Sequence, residues 1–198
     1  MSPKITAVLG LAASSLFAAA LGYFAAIYPG YEHGTKAVSE LGAVGAQNAL
    51  AWNLLGFFST GVLLALFGLG AGAAAGDRRA GLYLALSGVA FAATAVPADM
   101  DNLQSSLSLV HIAASLMVFL FWLLAAVRLL KHPVPGLRRT TMIFLLFALA
   151  AGALRFTPLV LPGWGQRLSV LAYFGWVTAI SLLFLIKRRE VVRAPKSR

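Results

Sequence analysis

The chain has 198 residues, of which 60% are hydrophobic and only 11% charged, and its mean hydropathy is +0.85. Soluble domains carry about 25% charged residues, so this composition excludes a soluble globular protein. The formal net charge of +10 comes from basic residues that flank apolar runs, which favours topology signals and contacts with anionic lipids over nucleic-acid binding. Because cysteine is absent, disulfides, thiolate metal sites and cysteine nucleophiles are excluded.

Six apolar runs predict an all-α integral membrane protein, because an open sheet cannot satisfy its backbone groups in lipid. The predicted spans cover about 5–28, 49–73, 80–96, 106–130, 140–161 and 168–186, and turns rich in charge, proline or glycine separate them. We therefore predict a six-helix transmembrane bundle that forms a single domain over residues 1–198. Residues 187–198 are predicted to be a basic cytoplasmic tail.

The distribution of basic residues predicts the orientation of this bundle. With six spans, both termini and the turns at 76–79 and 128–139 lie on one side, and 13 of the 16 Lys and Arg residues fall there. Only Lys36, Arg155 and Arg167 remain for the other side. The positive-inside rule then places both termini in the cytoplasm, N-in/C-in, which suits a multi-pass protein of a bacterial inner (cytoplasmic) membrane.

The predicted outer side collects the ionisable groups that could carry chemistry. The stretch from Tyr28 to Ala46 holds Ser39 and Glu40, and the connector before the fourth span holds Asp99 and Asp101. In all, four of the six acidic residues fall on this side. This grouping predicts a polar pocket that faces outward.

Two side chains on the spans, His111 and Arg155, are predicted to belong to the same pocket. His111 shares a helical face with Ser108 and Ser115, which suits either a packed histidine or a functional one. Arg155 is predicted to lie about two turns inside the fifth helix, where it needs an anion. We expect Glu40 or else Asp99 to supply that anion, with a ligand as the alternative.

Two further polar groups have both a structural and a ligand-binding interpretation. Arg167 opens the sixth helix, where an arginine serves as an interfacial anchor or as a site residue, and Gln166, Ser169 and Tyr173 share one face of that helix. Asn53 belongs to a small polar stripe on the second helix, which is typical of helix packing as well as of ligand contact.

The residue types do not favour a metal or another cofactor. A catalytic zinc usually takes three protein ligands, and no HExxH motif or close histidine pair is present. We therefore expect no cofactor and no metal, with a mixed His and carboxylate zinc site as the alternative. His111, Glu40 and Asp99 are the candidate catalytic residues, and a Ser39 nucleophile with Glu40 and His111 is conceivable on paper.

Several short motifs and single residues extend over nearly the whole chain, namely Tyr28-Pro-Gly-Tyr31, Ser39-Glu-Leu-Gly42, Asn53, Gly56, Asp99, His111 and Gly165-Gln-Arg167. In these residues the chain resembles a known family, the small bacterial and archaeal membrane proteins grouped as domain-of-unknown-function family 998 (DUF998). The resemblance implies a membrane protein of six to seven helices without an assigned activity. Such families look distantly similar to lipid-modifying hydrolases that hold zinc with several histidines, most of which this sequence lacks.

Three functional hypotheses remain open at this point. The first is a module whose outward-facing pocket binds an amphiphilic, lipid-like small molecule through Ser39, Glu40, Asn53, Asp99, Asp101, His111, Arg155 and Arg167. The second is an intramembrane lipid or amide hydrolase, with or without metal, that uses His111 and the carboxylates. The third is a purely structural bundle. Membrane lipids are the expected partners in each case, and the oligomeric state is left undetermined.

Overall fold

The fold is a bundle of six long helices, seen in a computed structural model that describes residues 1–155, 157 and 159–191, with side chains to residue 186. The helices are α1 (Pro3–Ile27), α2 (Ala49–Ala75), α3 (Arg78–Ala93), α4 (Ser106–Leu129), α5 (Pro135–Leu154) and α6 (Pro162–Val191). A short 3-10 helix, Val38–Gly42, lies between α1 and α2. This part of the chain contains no strand, so the predicted all-α fold is confirmed.

Local capping chemistry explains most of the helix ends. α1 begins at Pro3, and the hydroxyl of Ser2 accepts a hydrogen bond from the N–H of Ile5. α2 stops at Gly76, whose φ of +69° is the left-handed conformation that favours glycine. Asp77 then caps α3, because its carboxylate accepts the N–H of Ala80.

The last two helices begin earlier than the hydropathy predicts. α5 begins at Pro135 and α6 at Pro162, since proline suits the first turn of a helix, where no backbone donor is needed. α5 also ends at Leu154, so Arg155 is the residue that caps it and does not lie two turns inside it as predicted. The helical backbone of α6 continues to Val191, so the first residues of the predicted tail are helical, while residues 192–198 lie outside the described part.

Packing arranges the helices as a ring in chain order, with α6 returning to α1. Aromatic side chains from several helices fill its centre, including Phe17, Trp52, Phe91, Phe174 and Trp176. The rings of Phe17 and Phe174 stack with centroids 4.5 Å apart, which joins α1 to α6. The contact between α4 and α5 is the slightest between neighbours, and this leaves the ring loosely closed at that point.

The α2–α3 pair is the tightest part of the bundle because glycines line its seam. A methyl group added at Gly88 would collide with the backbone N of Ala65, and one added at Gly72 would collide with Gly81 Cα. Small residues of this kind let helix backbones approach closely in lipid, where no hydrophobic effect drives the helices together. The α2–α3 seam is therefore closely packed, in contrast to the loose α4–α5 contact.

Five of the six helices are long and apolar enough to cross a membrane, namely all except α3. With 16 residues, α3 measures about 24 Å, shorter than a hydrocarbon core of about 30 Å. The chain is thus a membrane-spanning helical protein, and α3 is the helix that falls short of the predicted six spans.

The contacts divide the polar residues between the two ends of the bundle. At one end, which we call the basic end, Asp77 in the α2–α3 turn binds Arg128 at the end of α4. At the other end, which we call the cavity end, the N–H of Gly163 on α6 donates to the carbonyl of Gly34 after α1. The turn between α2 and α3 and the end of α4 thus lie at one end, and the segment after α1 and the start of α6 lie at the other.

Candidate functional site

A cavity of about 420 Å³ opens at the cavity end, between α4, α5 and α6. It occupies the place where α4 and α5 make little contact, and the 3-10 helix Val38–Gly42 lies over it. Most of its wall is apolar. The polar groups in its lining are Ser39, Thr94, His111, Ser115, Arg155, Gln166, Ser169 and Tyr173.

His111 lies on α4 with 7% of its surface exposed, and its tautomer follows from its one hydrogen bond. Nδ1 lies 2.9 Å from the carbonyl oxygen of Val96, and since a carbonyl only accepts, Nδ1 must carry the hydrogen. In the neutral ring, Nε2 is then an acceptor. No described residue donates to Nε2, so a ligand with a hydroxyl or amide hydrogen has a partner in the cavity.

Ser39 and Gln166 form the upper rim of the cavity, and an interhelical hydrogen bond sets the direction of the glutamine amide. Gln166 Oε1 accepts the N–H of Val38 at 2.7 Å, which joins the 3-10 helix to α6. The amide nitrogen of Gln166 is therefore left as a donor, and Gln166 lines the cavity. The face of Gln166, Ser169 and Tyr173 that the spacing on α6 predicts does line the cavity.

Tyr173 forms the floor of the cavity and is only 3% exposed. Its hydroxyl lies 3.0 Å from Ser87 Oγ, and Ser87 in turn donates to the carbonyl of Val118 at 2.9 Å. Because Ser87 has a single hydroxyl hydrogen, Tyr173 is the donor to Ser87. This chain of bonds holds α3, α4 and α6 together beneath the cavity.

Arg155 is exposed and lines the cavity, where its aliphatic stem packs beside Gly165. The prediction that it pairs with Glu40 or Asp99 is wrong. No described carboxylate lies within ion-pair distance of Arg155. The helix end explains the difference, because at a cap the guanidinium reaches water and needs no buried counter-ion.

Glu40 is committed elsewhere and does not line the cavity. One carboxylate oxygen accepts the N–H of Ala37 at 2.6 Å, and the other lies 3.5 Å from Lys36 Nζ. The 3-10 helix begins at Val38, directly after Lys36 and Ala37, and its turn brings Glu40 back to both of them. Glu40 therefore caps its own turn. These contacts do not support the predicted arrangement of Ser39, Glu40 and His111 in which Glu40 orients the histidine.

The two acidic residues of the α3–α4 connector also lie away from the cavity. Asp99 Oδ1 accepts the N–H groups of Asp101 and Asn102, both at 3.1 Å, which is a local turn. Asp101 is exposed. Neither carboxylate forms an ion pair with a described arginine, and neither lines the cavity, so we do not include them in the candidate site.

Arg167 is an anchor between α6 and the segment that follows α1. Its guanidinium donates to the carbonyl oxygens of Lys36 and Gly163, to the hydroxyl of Tyr31 and to Nδ1 of His33, over distances of 2.7 to 3.1 Å. Burial raises the pKa of the Tyr31 phenol, although the Arg167 cation opposes this, so the phenol stays protonated and donates to Ala37. Four of the five N–H donors of Arg167 are engaged, which argues against a role in ligand binding.

Asn53 is buried in the wall between α2 and the 3-10 helix, outside the cavity. Its amide nitrogen donates to the carbonyl of Gly42 at 2.9 Å. It begins the π-helical stretch Asn53–Ser59 of α2, a widened turn of a kind often found at functional sites. These contacts favour the helix-packing interpretation of Asn53 over the ligand-binding one.

The histidine and carboxylate side chains are dispersed in the described part of the chain. There, no three His, Cys, Asp or Glu side chains come together in a cluster that could hold an ion. His111 lines the cavity, Glu40 and Asp99 accept hydrogen bonds within local turns, and Asp101 is exposed.

Sequence reasoning missed the apolar lining residues and two with polar groups, Thr94 and Trp122. The hydroxyl of Thr94 donates a hydrogen bond to the carbonyl oxygen of Phe91, and Trp122 is 2% exposed on an otherwise ordinary apolar helix. Hydropathy carries no signal for either of them. The π-helical stretch was missed for the same reason.

Comparison with known proteins gives one result. A model of the family described as "Protein of unknown function (DUF998)" matches residues 11–183, which is most of the chain. No curated protein and no solved structure matches the chain significantly. With five membrane-length helices and a family match of this extent, the chain belongs to the DUF998 family.

Proposed function

We propose that the protein binds an amphiphile with an anionic head group in the cavity between α4, α5 and α6. Arg155 is the observation that carries the proposal: an exposed cation lines a largely apolar cavity and has no carboxylate partner among the described residues. An anionic group placed there gains a charge-assisted hydrogen bond.

The apolar part of the ligand has a route into the membrane. Leu116 and Leu123 on α4 and Leu145 and Leu149 on α5 line the cavity on both sides of the loose α4–α5 contact. Leu116 and Leu149 are more than half exposed on the outside of the bundle, where lipid chains lie. An acyl chain that enters between these helices keeps its apolar surface away from water.

The head group meets complementary polar groups at the rim. Arg155 supplies the positive charge, His111 Nε2 accepts a hydrogen from the ligand, and the amide of Gln166 donates one. A carboxylate or phosphate next to a hydroxyl or amide fits this set. Ser39, on the 3-10 helix above, offers a further hydroxyl.

The orientation that we propose places the cavity end outside and both termini in the cytoplasm, with α3 completing a six-helix membrane domain. The gathering of Arg and Lys at the basic end supports it. A bacterial inner membrane is the proposed location. Cysteines introduced singly at Gly34 and at Gly136 test the orientation, because an impermeant thiol reagent should label only the former from outside.

Ligand binding is tested with a brominated fatty acid, whose bromine atoms quench tryptophan fluorescence on contact. Trp122 lines the cavity, whereas Trp164 is 50% exposed and should be replaced by phenylalanine to remove its background. We expect saturable quenching by the acid and weak quenching by its methyl ester, which lacks the charge that Arg155 recognises.

Two arginine variants on the same helix provide the comparison. Arg155→Gln should abolish the preference for the acid over the ester. Arg138→Gln removes the same charge from an exposed residue at the other end of α5 and should leave the preference unchanged. Equal quenching by acid and ester in the unsubstituted protein would refute the proposal.

A second candidate function, hydrolysis of an ester or amide bond, is favoured by the presence of Ser39 and His111 on one cavity. In that reaction Ser39 Oγ attacks the substrate carbonyl and its proton passes to His111 Nε2, which then protonates the leaving group and leaves an acyl ester on Ser39. A water molecule then attacks this ester and gives its proton to His111 Nε2, which returns it to Ser39 Oγ as the acid is released. The Val96 carbonyl would orient the imidazole in place of a carboxylate. A fluorophosphonate should label Ser39 if this reaction occurs, and the label should disappear in Ser39→Ala and in His111→Ala. If the unsubstituted protein is not labelled, hydrolysis is refuted and ligand binding remains the proposed function.

A further inference from the structure

A second cleft, of about 840 Å³, lies at the basic end of the bundle, remote from the cavity. The turn between α2 and α3 forms one wall, and the end of α4 with the turn that follows it forms the other. Its described lining contains four cations, Arg78, Arg79, Arg128 and Lys131, against one carboxylate, Asp77. The lining therefore carries a net charge of +3 when its histidine is neutral.

Two contacts hold the walls of this cleft in place. Asp77 accepts Arg128 Nε with both carboxylate oxygens, at 3.0 and 2.9 Å. Burial alone would raise the pKa of the Asp77 carboxyl, but the hydrogen bonds from Arg128 and from the N–H of Ala80 outweigh it and lower the pKa. The carboxylate is thus engaged with Arg128 and with the start of α3.

His132 makes the second contact. Its Nε2 lies 2.7 Å from the carbonyl oxygen of Ala75, so Nε2 carries the hydrogen, and Nδ1 accepts the N–H of Val134 at 3.2 Å. Both ring nitrogens are used and the ring is neutral. The α4–α5 turn is thereby fastened to the end of α2.

The remaining cations have no such structural role. Arg78, Arg79 and Lys131 are exposed, and no described side chain forms an ion pair with them. Arg78 and Arg79 occupy the first turn of α3, where the helix dipole disfavours positive charge. Their placement therefore does not stabilise α3. It does concentrate positive charge on the cleft, at the end of the bundle, where helix ends meet the head groups of a bilayer.

We infer that this cleft is a binding site for the phosphate of an anionic phospholipid, held by Arg78, Arg79 and Lys131 on the frame that Asp77, Arg128 and His132 provide. Guanidinium groups suit phosphate because their planar fork donates two parallel hydrogen bonds. Basic pockets between helices at a membrane surface recognise anionic head groups in this way. The site is separate from the cavity and does not depend on the ligand proposed there.

Lipid-exchange mass spectrometry of the full chain tests the inference, with the protein in mixed micelles that contain equal amounts of phosphatidylglycerol and phosphatidylcholine. We expect phosphatidylglycerol to be retained preferentially, by roughly tenfold if the site gains the ~1.4 kcal/mol that corresponds to that ratio. The variant in which Arg78, Arg79 and Lys131 are all replaced by glutamine should lose the preference and keep its helical circular dichroism.

The matched control replaces Lys4, Arg138 and Arg139 by glutamine. This variant loses the same charge, and none of the three lines the cleft. Preference for phosphatidylglycerol that survives in the control and disappears in the cleft variant establishes the site. An equal loss in both variants, or no preference in the unsubstituted protein, refutes it in favour of diffuse surface charge. Displacement of the lipid by inorganic phosphate at constant ionic strength would reassign the cleft to a soluble phosphate and refute the lipid assignment.

Discussion

Arg167 offers the sharpest test of the distinction between anchoring and ligand-binding arginines. We expect Arg167→Lys to destabilise the protein although it keeps the charge. The guanidinium donates to four acceptors in three directions, on Tyr31, His33, Lys36 and Gly163, and an ammonium at the end of a lysine reaches about one of these acceptors.

The magnitude follows from the number of bonds lost. A hydrogen bond contributes about 1 kcal/mol net, so the loss of three bonds costs up to about 3 kcal/mol. Arg167 is partly exposed, and water can satisfy some of the abandoned acceptors. We therefore expect the free energy of unfolding to fall by about 2 kcal/mol.

Reversible unfolding in mixed detergent micelles, followed by circular dichroism, measures this change. Arg155→Lys is the matched control, because Arg155 is exposed and has no described carboxylate partner, and its free energy of unfolding should change little. A double-mutant cycle with Tyr31→Phe should give an interaction energy of about 1 kcal/mol between residues 31 and 167. Equal stabilities of Arg167→Lys and Arg155→Lys, or additive effects in the cycle, would refute the anchor.

Three further substitutions test the bundle itself, each by the same unfolding measurement. Gly88→Ala should cost about 1–3 kcal/mol because its methyl group meets the backbone of Ala65, whereas Gly22→Ala, in open space on α1, should have no such cost. Ser87→Ala should cost about 1–3 kcal/mol because it strands the buried hydroxyl of Tyr173, and a smaller loss would mean that the hydroxyl finds another partner. Because the folded-state pKa of Asp77 is lowered, its contribution to stability is present above its unfolded pKa of about 3.9 and is lost as the pH falls through the folded value, so the acid branch of the stability profile should flatten in Asp77→Asn.

Much of the architecture is readable from the sequence because hydropathy and capping are local properties. The apolar runs predict the helices, and Gly76 with Asp77 predicts the sharp turn between α2 and α3. The separation of polar residues into a basic end and an opposite end follows from the number of helices together with the positions of the charged turns. The proline at the start of α5 carries a signal that hydropathy does not weigh, and for that reason the predicted boundaries of this helix were displaced.

The roles of the polar residues were decided by tertiary contacts between residues far apart in the chain. Arg155 and Arg167 are alike in sequence, because both are predicted for the outer side. In the structure, however, Arg167 donates to Lys36 across 131 positions and uses four of its five N–H donors, whereas Arg155 caps α5 beside the cavity. Glu40 has the right charge for Arg155, but its own turn supplies nearer partners, and a carboxylate next to a backbone N–H and a lysine gains nothing by leaving them. Composition determines that ionisable groups lie at the membrane surface, but only packing determines which of them remain available to a ligand.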